Sequence, residues 1–292
     1  MPFYSLYRAK NDKEKHRLND VCVKRHGTVN KRGIFSPEEL EGIKHGIKSL
    51  EPYNFAFSST CAMVRTSELT KSIRSYLNSS AVPNCNIVTA RTRGWIKEGN
   101  SIKRVVVESE EGVISEIEGD VFVLSAGIGS KQLAKQLGIT LPLLAMKGYT
   151  VDSLPKQKDK VSTRVITLDD KHLFFTGYPA GLRVSAFGDM VGKESFGMDP
   201  RRRNELLDLA REHMGNLIDD RTAWGGLRPV SPDDVPIIGQ AKTLSNLYYN
   251  LGHGSKGLSL SIGSAQLLRD LLIEKPEPVV DPIGYRPSRF FL

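Results

Sequence analysis

The sequence predicts a mixed α/β protein, and three observations carry that reading. Two stretches open with helix-start signals and continue with apolar residues at helical spacing. A middle region reads as short β segments parted by glycine and asparagine turns. A third stretch, Asp120 to Gly127, has an apolar centre ending in small residues, the pattern of a buried strand.

Taken in order, the opening stretch to about Tyr53 holds Ser36-Pro37-Glu38-Glu39, a capping box with proline in the first turn. Thr66 and Ser67 open a second helix, with Leu69, Ile73, Tyr76 and Leu77 on one apolar face. Strands are expected at Asn86 to Ala90, Thr92 to Lys97, Ile102 to Glu108 and Val113 to Ile117, with turns at Glu98 to Ser101 and Glu110 to Gly112. Residues 142 to 196 read as further strands, including Arg164 to Thr167, Leu173 to Thr176 and Leu182 to Phe187. Asp199-Pro200 starts a helix with Leu206, Ala210, Met214 and Leu217 in one stripe. A last helix, about Leu258 to Ile273, is expected to turn Leu258, Ile262, Ala265, Leu268 and Leu272 inward, and Pro276 blocks its continuation.

With 292 residues, 39% of them hydrophobic and 25% charged, the chain can bury a sizeable core in one large domain or two packed ones. The net charge is +8, and the first fifty residues hold eleven basic against six acidic side chains. That segment alone would argue for nucleic acid, anionic lipid or an acidic partner. Acidic residues interrupt it and no aromatic stacking pattern accompanies it, so a solvated face is the preferred reading. Cys22, Cys61 and Cys85 lack CxxC spacing, which argues against zinc or a disulfide framework. They fit an intracellular, reducing compartment, cytoplasm or mitochondrial interior. No apolar run approaches the roughly 20 residues that span a bilayer, and no signal-peptide core opens the sequence.

The chemistry concentrates near the carboxyl end. Gly252-His253-Gly254-Ser255-Lys256-Gly257 follows a strand-like run and precedes the last helix, before Leu258. Its glycines allow close backbone approach, and amides at a helix start favour an electron-rich group. A tight strand-to-helix turn without a ligand would look the same. Upstream lies Trp224-Gly225-Gly226-Leu227-Arg228-Pro229, continuing to Pro236-Ile237-Ile238-Gly239. Phe122-Val123-Leu124-Ser125-Ala126-Gly127 ends in residues small enough to lie against a ligand, and Pro142 to Tyr149 reads PLLAMKGY.

These segments, with Leu182-Arg183-Val184 and the terminal Tyr285 to Phe290, resemble the flavin-dependent family of D-amino-acid dehydrogenase (small subunit), glycine oxidase and D-amino-acid oxidase. The resemblance runs from about Ser36 to Leu292 and is strongest after Asp120. It implies a partial two-dinucleotide-domain flavoprotein-like nucleotide domain with a sheet-rich substrate domain. Residues 1–66 would be a basic part of the substrate or cap region and 67–135 a remnant of the FAD-binding domain. Residues 136–224 would form the substrate-domain sheet and helix, and 225–292 the last part of the FAD-binding domain. It also implies that Arg228 holds a substrate carboxylate, a task suited to its planar fork, in a cavity between region 142–196 and the nucleotide-domain remnant. Ala126, Gly127 and Gly252 to Leu258 would line FAD, and no metal is implied.

The family opens with a strand, a GxGxxG turn and a helix that cradle the FAD pyrophosphate. No GxGxxG occurs here; Gly127-Ile128-Gly129 is followed by Ser130-Lys131-Gln132. Gly225 and Asp234 are further departures. The expectation is therefore an amine or D-amino-acid oxidoreductase-like chain, competent only if another polypeptide supplies the missing unit. The alternative is a non-catalytic structural subunit derived from the same family. An uncovered sheet edge near Val121 to Ser125 is expected in either case.

Overall fold

The computed structural model describes residues 2–26, 31–32, 36–44, 53–60, 64–153, 165–178, 181–192, 197–214 and 222–290. Cys61, Arg164 and Leu217 lie outside them. The chain divides into two compact units. Unit 1 is Met1–Thr66, Lys147–Asp189 and Phe196–Gly226; unit 2 is Ser67–Met146, Met190–Ser195 and Leu227–Leu292.

In chain order the strands are β1 (Pro2–Tyr7), β2 (Lys31–Arg32), β3 (Phe55–Thr60), β4 (Arg91–Glu98), β5 (Ser101–Glu108), β6 (Ile114–Glu118) and β7 (Phe122–Leu124). They continue with β8 (Leu144–Ser153), β9 (Val165–Leu168), β10 (Leu173–Tyr178), β11 (Gly181–Val191), β12 (Thr222–Val230), β13 (Ile237–Gln240) and β14 (Leu247–Leu251). The α-helices are α1 (Asp12–His26), α2 (Pro37–Lys44), α3 (Thr66–Leu77), α4 (Ser130–Lys135), α5 (Pro200–Met214) and α6 (Gly257–Leu272).

An eight-stranded sheet ordered β12-β8-β11-β10-β9-β1-β3-β2 is the frame of unit 1. Alternation decides its two faces. In β3, Phe55 and Phe57 pack with Cys22 of α1, whereas Ala56 joins the core on the other face. That second core gathers Leu6, Tyr149, Val151, Ile166, Leu168, Phe175, Leu182 and Val184, and α5 covers it with Leu206, Leu207 and Ala210. The start of α5 is set by Asp199, whose carboxylate accepts the Arg201 amide at 2.9 Å, with Pro200 leading the first turn. The capping box at α2 forms in full. The Ser36 amide donates to the Glu39 carboxylate at 2.8 Å, and the Glu39 amide donates to the Ser36 hydroxyl at 3.2 Å.

Unit 2 holds two three-stranded sheets, the meander β4-β5-β6 and the sheet β13-β14-β7. In the second, β14 runs parallel to β7, pairing Leu247 with Phe122 and Tyr249 with Leu124, and antiparallel to β13. Asn246 joins the two sheets: its side chain accepts from the Ile102 amide at 2.9 Å and donates to the carbonyls of Ile102 and Asp120 at 2.7 and 3.0 Å. Phe122, Leu124, Ile128, Leu143, Ile237, Tyr249 and Leu251 share one core.

Two expectations are corrected, at Asn86 to Ala90 and in α6, and one is met with a difference. Asn86 to Ala90 is not a strand; pairing begins at Arg91. The apolar stripe of α3 is present, but no residue of that helix is buried. In α6 the inward residues are Ser264, Leu267, Leu268 and Asp270, while Leu258 is 49% and Ile262 82% exposed. That helix has apolar residues on two faces, so helical periodicity alone could not say which face the sheet would take. No helix among the described residues is long and apolar enough to cross a membrane.

Candidate functional site

Two turns define the site in unit 2. After β7 the chain passes Ser125 and Ala126 to Gly127, whose φ of +58° suits glycine, and enters a 3-10 turn at Gly127–Gly129. A Cβ at Gly127 would meet nothing within 4 Å, so the space above that turn is open. After β14 the chain passes Gly252 at φ +79° and His253, makes a 3-10 turn at Gly254–Lys256 and begins α6. Because β7 and β14 are parallel neighbours in register, both turns leave the sheet at the same end. Open α/β sheets bind ligands beyond the carboxyl ends of their strands.

A side chain at either of the first two glycines of the second turn would be strained, by its positive φ and by close neighbours. A Cβ on Gly252 would come within 3.3 Å of Leu143 Cδ2 and 3.4 Å of Ser231 Cβ, and one on Gly254, at φ +56°, within 3.2 Å of Asp234 Oδ1. His253 is bridged to Val230 through the backbone, and its Nε2 lies 2.9 Å from the Ser264 hydroxyl. Burial pushes this imidazole below its ordinary pKa, so it is neutral at neutral pH. Lys256 pairs with Asp234 on the exposed side of the turn. Ser255 and Leu258 are exposed and Gly257 is half-buried. No side chain caps the start of α6, which leaves its first amides available to an acceptor on a ligand.

Arg228 lies in β12, two residues before the Val230 that bridges His253. It is half-buried, and among the described residues it has no hydrogen-bond or ion-pair partner. Burial alone lowers its pKa from the ordinary arginine value. Its nitrogens are not among the fully buried atoms without a partner, so the guanidinium stays open to water or to an acceptor on a ligand. Two buried polar atoms on the elements next to the turns lack partners: Oδ1 of Asn250, near the end of β14, and Oγ of Ser130, at the start of α4.

The residues singled out in the sequence thus fall into one neighbourhood of unit 2: Ala126 and Gly127 on one turn, Gly252 to Leu258 on the next, and Arg228 on the strand bridged to it. Sequence reasoning missed the supporting residues. Asp234, which stood out only as a departure, holds Lys256 and packs against Gly254. Gly225, the other departure, makes room for the buried Lys147: a Cβ there would lie 2.9 Å from Lys147 Cε. Ser264 carried no signal, because a serine inside a helix is unremarked until its partner is known.

A sheet with parallel strands, glycine turns at their carboxyl ends and a helix starting over one of them defines a nucleotide-binding type of α/β protein. The family described as FAD dependent oxidoreductase, DAO, matches residues 3–271, and the chain belongs to it. FAD is the cofactor of that family. The chain is 40% identical over 199 residues to a D-amino acid dehydrogenase of Agrobacterium fabrum, covering 67% of this chain and 45% of that protein. It is 32% identical over 240 residues to a glycine oxidase of Pseudomonas aeruginosa, covering 80% of this chain and 61% of that protein. In structure it is similar to L-proline dehydrogenase from P. horikoshii, with a TM-score of 0.80, 18% identity, and 99% of this chain and 76% of that one covered. Glycine oxidase from Bacillus cereus superposes with a TM-score of 0.76 at 20% identity, over 95% of this chain and 73% of that one. The chain therefore spans less than two thirds of the length of these curated relatives.

The residues present fit the ring end of FAD. Open space above Gly127 and a start of α6 that no side chain caps leave room for a ring with an acceptor edge. They do not supply a glycine-rich loop for the pyrophosphate, which the sequence lacks.

Proposed function

We propose that this chain carries the flavin-ring and substrate-carboxylate part of an FAD-dependent amine or D-amino-acid oxidoreductase, and that a partner polypeptide must supply the phosphate-binding unit before it is competent. The observation that carries this reading is Arg228, a half-buried guanidinium with no acceptor among the described residues. In this reading residues 67–135 and 225–292 serve the cofactor and residues 1–66 and 136–224 the substrate.

Bound FAD supplies a hydride acceptor for the carbon that bears the amine. The chain's own contribution is positioning. Arg228 takes the substrate carboxylate in its fork and fixes the neighbouring carbon. The amides from Gly252 to Leu258 hold the electron-rich edge of the ring, with Ala126 and Gly127 lying against it. His253 keeps the turn in place through Ser264, 2.9 Å away, and being neutral adds no charge. Gly254, Ser255, Lys256 and Gly257 act through their backbone, with the Lys256 ammonium held by Asp234.

Equilibrium dialysis of the chain alone with FAD should show no stoichiometric binding at micromolar cofactor, because several charge-assisted contacts of about 1.5–3 kcal/mol each are missing. With the partner present, flavin absorbance should appear and an amino-acid carboxylate should bind. Arg228→Gln should then weaken that carboxylate about tenfold or more while leaving the flavin spectrum unchanged. Tight FAD binding by the lone chain, or an Arg228→Gln chain with unaltered carboxylate affinity, would overturn the reading. A second reading, a structural subunit without cofactor, is favoured by the absence of a GxGxxG run. A complex purified natively without flavin would select it.

A further inference from the structure

Within unit 2 the inner side of α6 does not close completely on β13. A cavity of about 140 Å³ remains there, floored by the buried Pro236, Ile238 and Leu267 and walled by the half-buried Val280 and Tyr285. Leu260 and Gly263 of α6 are exposed and stand at its mouth. The lining also includes the buried Ser264, whose hydroxyl lies 2.9 Å from His253 Nε2.

The walls are fixed from outside. The Asp270 carboxylate accepts the Val279 amide at 3.1 Å, which ties down the residue before Val280. Arg289 donates to the carbonyls of Val235 and Tyr285 at 2.6 and 2.8 Å, which links the residue before Pro236 to the opposite wall. The cavity is thus built into the fold, as ligand sites usually are. Gly263 keeps its mouth open: a Cβ there would meet nothing within 4 Å. Glycine inside a helix is less stable than alanine, and neither a positive φ nor a close neighbour asks for glycine at this position.

We propose that this cavity binds a small ring-bearing molecule with one hydroxyl, of the phenol class, whose hydroxyl joins Ser264 and through it reaches His253. An apolar cavity of roughly 150 Å³ stays dry and takes a benzene-sized guest, and the volume here matches. No residue of the lining carries a charge, so an ionised guest would lose its hydration without a counter-charge. A serine hydroxyl offers one donor and two acceptor sites. The His253 bond uses one of them, and among the described residues Ser264 has no other side-chain hydrogen bond. A guest hydroxyl finds its partner there. Because His253 sits between Gly252 and Gly254 in the turn that opens α6, an occupied cavity alters the hydrogen bond that holds this turn. The inference goes beyond the proposed function and needs no cofactor.

The test titrates the full chain with phenol and with benzene by calorimetry and follows the His253 ring by NMR. One-to-one phenol binding in the millimolar range or tighter is expected, with the imidazole resonances moving in step with occupancy. Gly263→Leu, which places bulk at the mouth, should weaken both guests about tenfold or more. Ser264→Ala should weaken phenol about fivefold and leave benzene unchanged. Ile262→Ser, on the exposed outer side of α6, should alter neither. Should Gly263→Leu lose its helical circular dichroism, the contrast between phenol and benzene in Ser264→Ala decides alone. No saturable binding at millimolar phenol, binding indifferent to a folded Gly263→Leu chain, a Ser264→Ala chain that treats the two guests as the native chain does, or unmoved imidazole resonances would overturn the proposal.

Discussion

Helices α5 and α6 are of similar length, yet one is a finished surface and the other is not. In α5 the buried side holds Leu206, Leu207 and Ala210, and the outer side is tied down by charge. Arg202 forks onto Asp189 at 2.7 and 2.8 Å and reaches Glu205 at 2.6 Å, and Glu212 accepts from Lys171 at 2.8 Å. In α6 the buried side holds Leu267 and Leu268, and the other side shows Leu258 and Ile262 to solvent. A helix apolar on two sides is built for the inside of a layer. The lesson is that a charged outer face marks where a unit ends, and α6 carries no charged residue along its first half.

Three substitutions put this comparison at risk. The largest effect is expected for Leu206→Ala, a fully buried position of α5, which should cost about 2–5 kcal/mol in urea unfolding followed by circular dichroism. Asp270→Asn should act next, at the finished end of α6. The Val279 amide, donating at 3.1 Å, and Arg269 hold the Asp270 carboxyl below the ordinary aspartate pKa. A carboxyl whose folded pKa lies below its unfolded one adds stability above the unfolded value and loses it as pH falls through the folded one. The unfolding midpoint of the native chain should therefore drop in acid below about pH 4, and Asp270→Asn should be weaker at neutral pH with a flatter acid profile. The smallest effect is expected for Ile262→Ser, within about 0.5 kcal/mol in urea unfolding of the isolated chain. An Ile262→Ser loss as large as that of Leu206→Ala would mean that the outer side of α6 is already packed.

How far the sequence disclosed this arrangement depended on whether the signal was local. The capping box at Ser36 and the Asp199-Pro200 start could be read directly, because each is completed within three residues. The glycine turn before α6 was legible for the same reason. β1 was not: Pro2–Tyr7 lies in the sheet between β3 and β9, and its pairing partners are some fifty and a hundred and sixty residues away. The inward face of α6 was misread because two apolar stripes compete on one helix, and only the position of Ile238 and Tyr248 decides between them. At the site, the glycines announced themselves by spacing, whereas Asp234, Ser264 and the Lys147–Gly225 fit acquire meaning only from contacts across the fold.

The segment from Tyr285 to Phe290 has a bearing on how the chain would withstand digestion. Arg289 donates to both carboxylate oxygens of Asp233, at 2.8 and 3.3 Å, and to the carbonyls of Val235, Tyr285 and Arg286 at 2.6, 2.8 and 3.1 Å. Its neighbour Arg286 is exposed but precedes Pro287, and a peptide bond to proline resists proteases that read basic side chains. An enzyme of that kind finds one arginine chemically protected and the other already engaged by five acceptors. The tail thus shields the turn at Asp233–Val235, and with it the Asp234 that holds Lys256, from being cut loose.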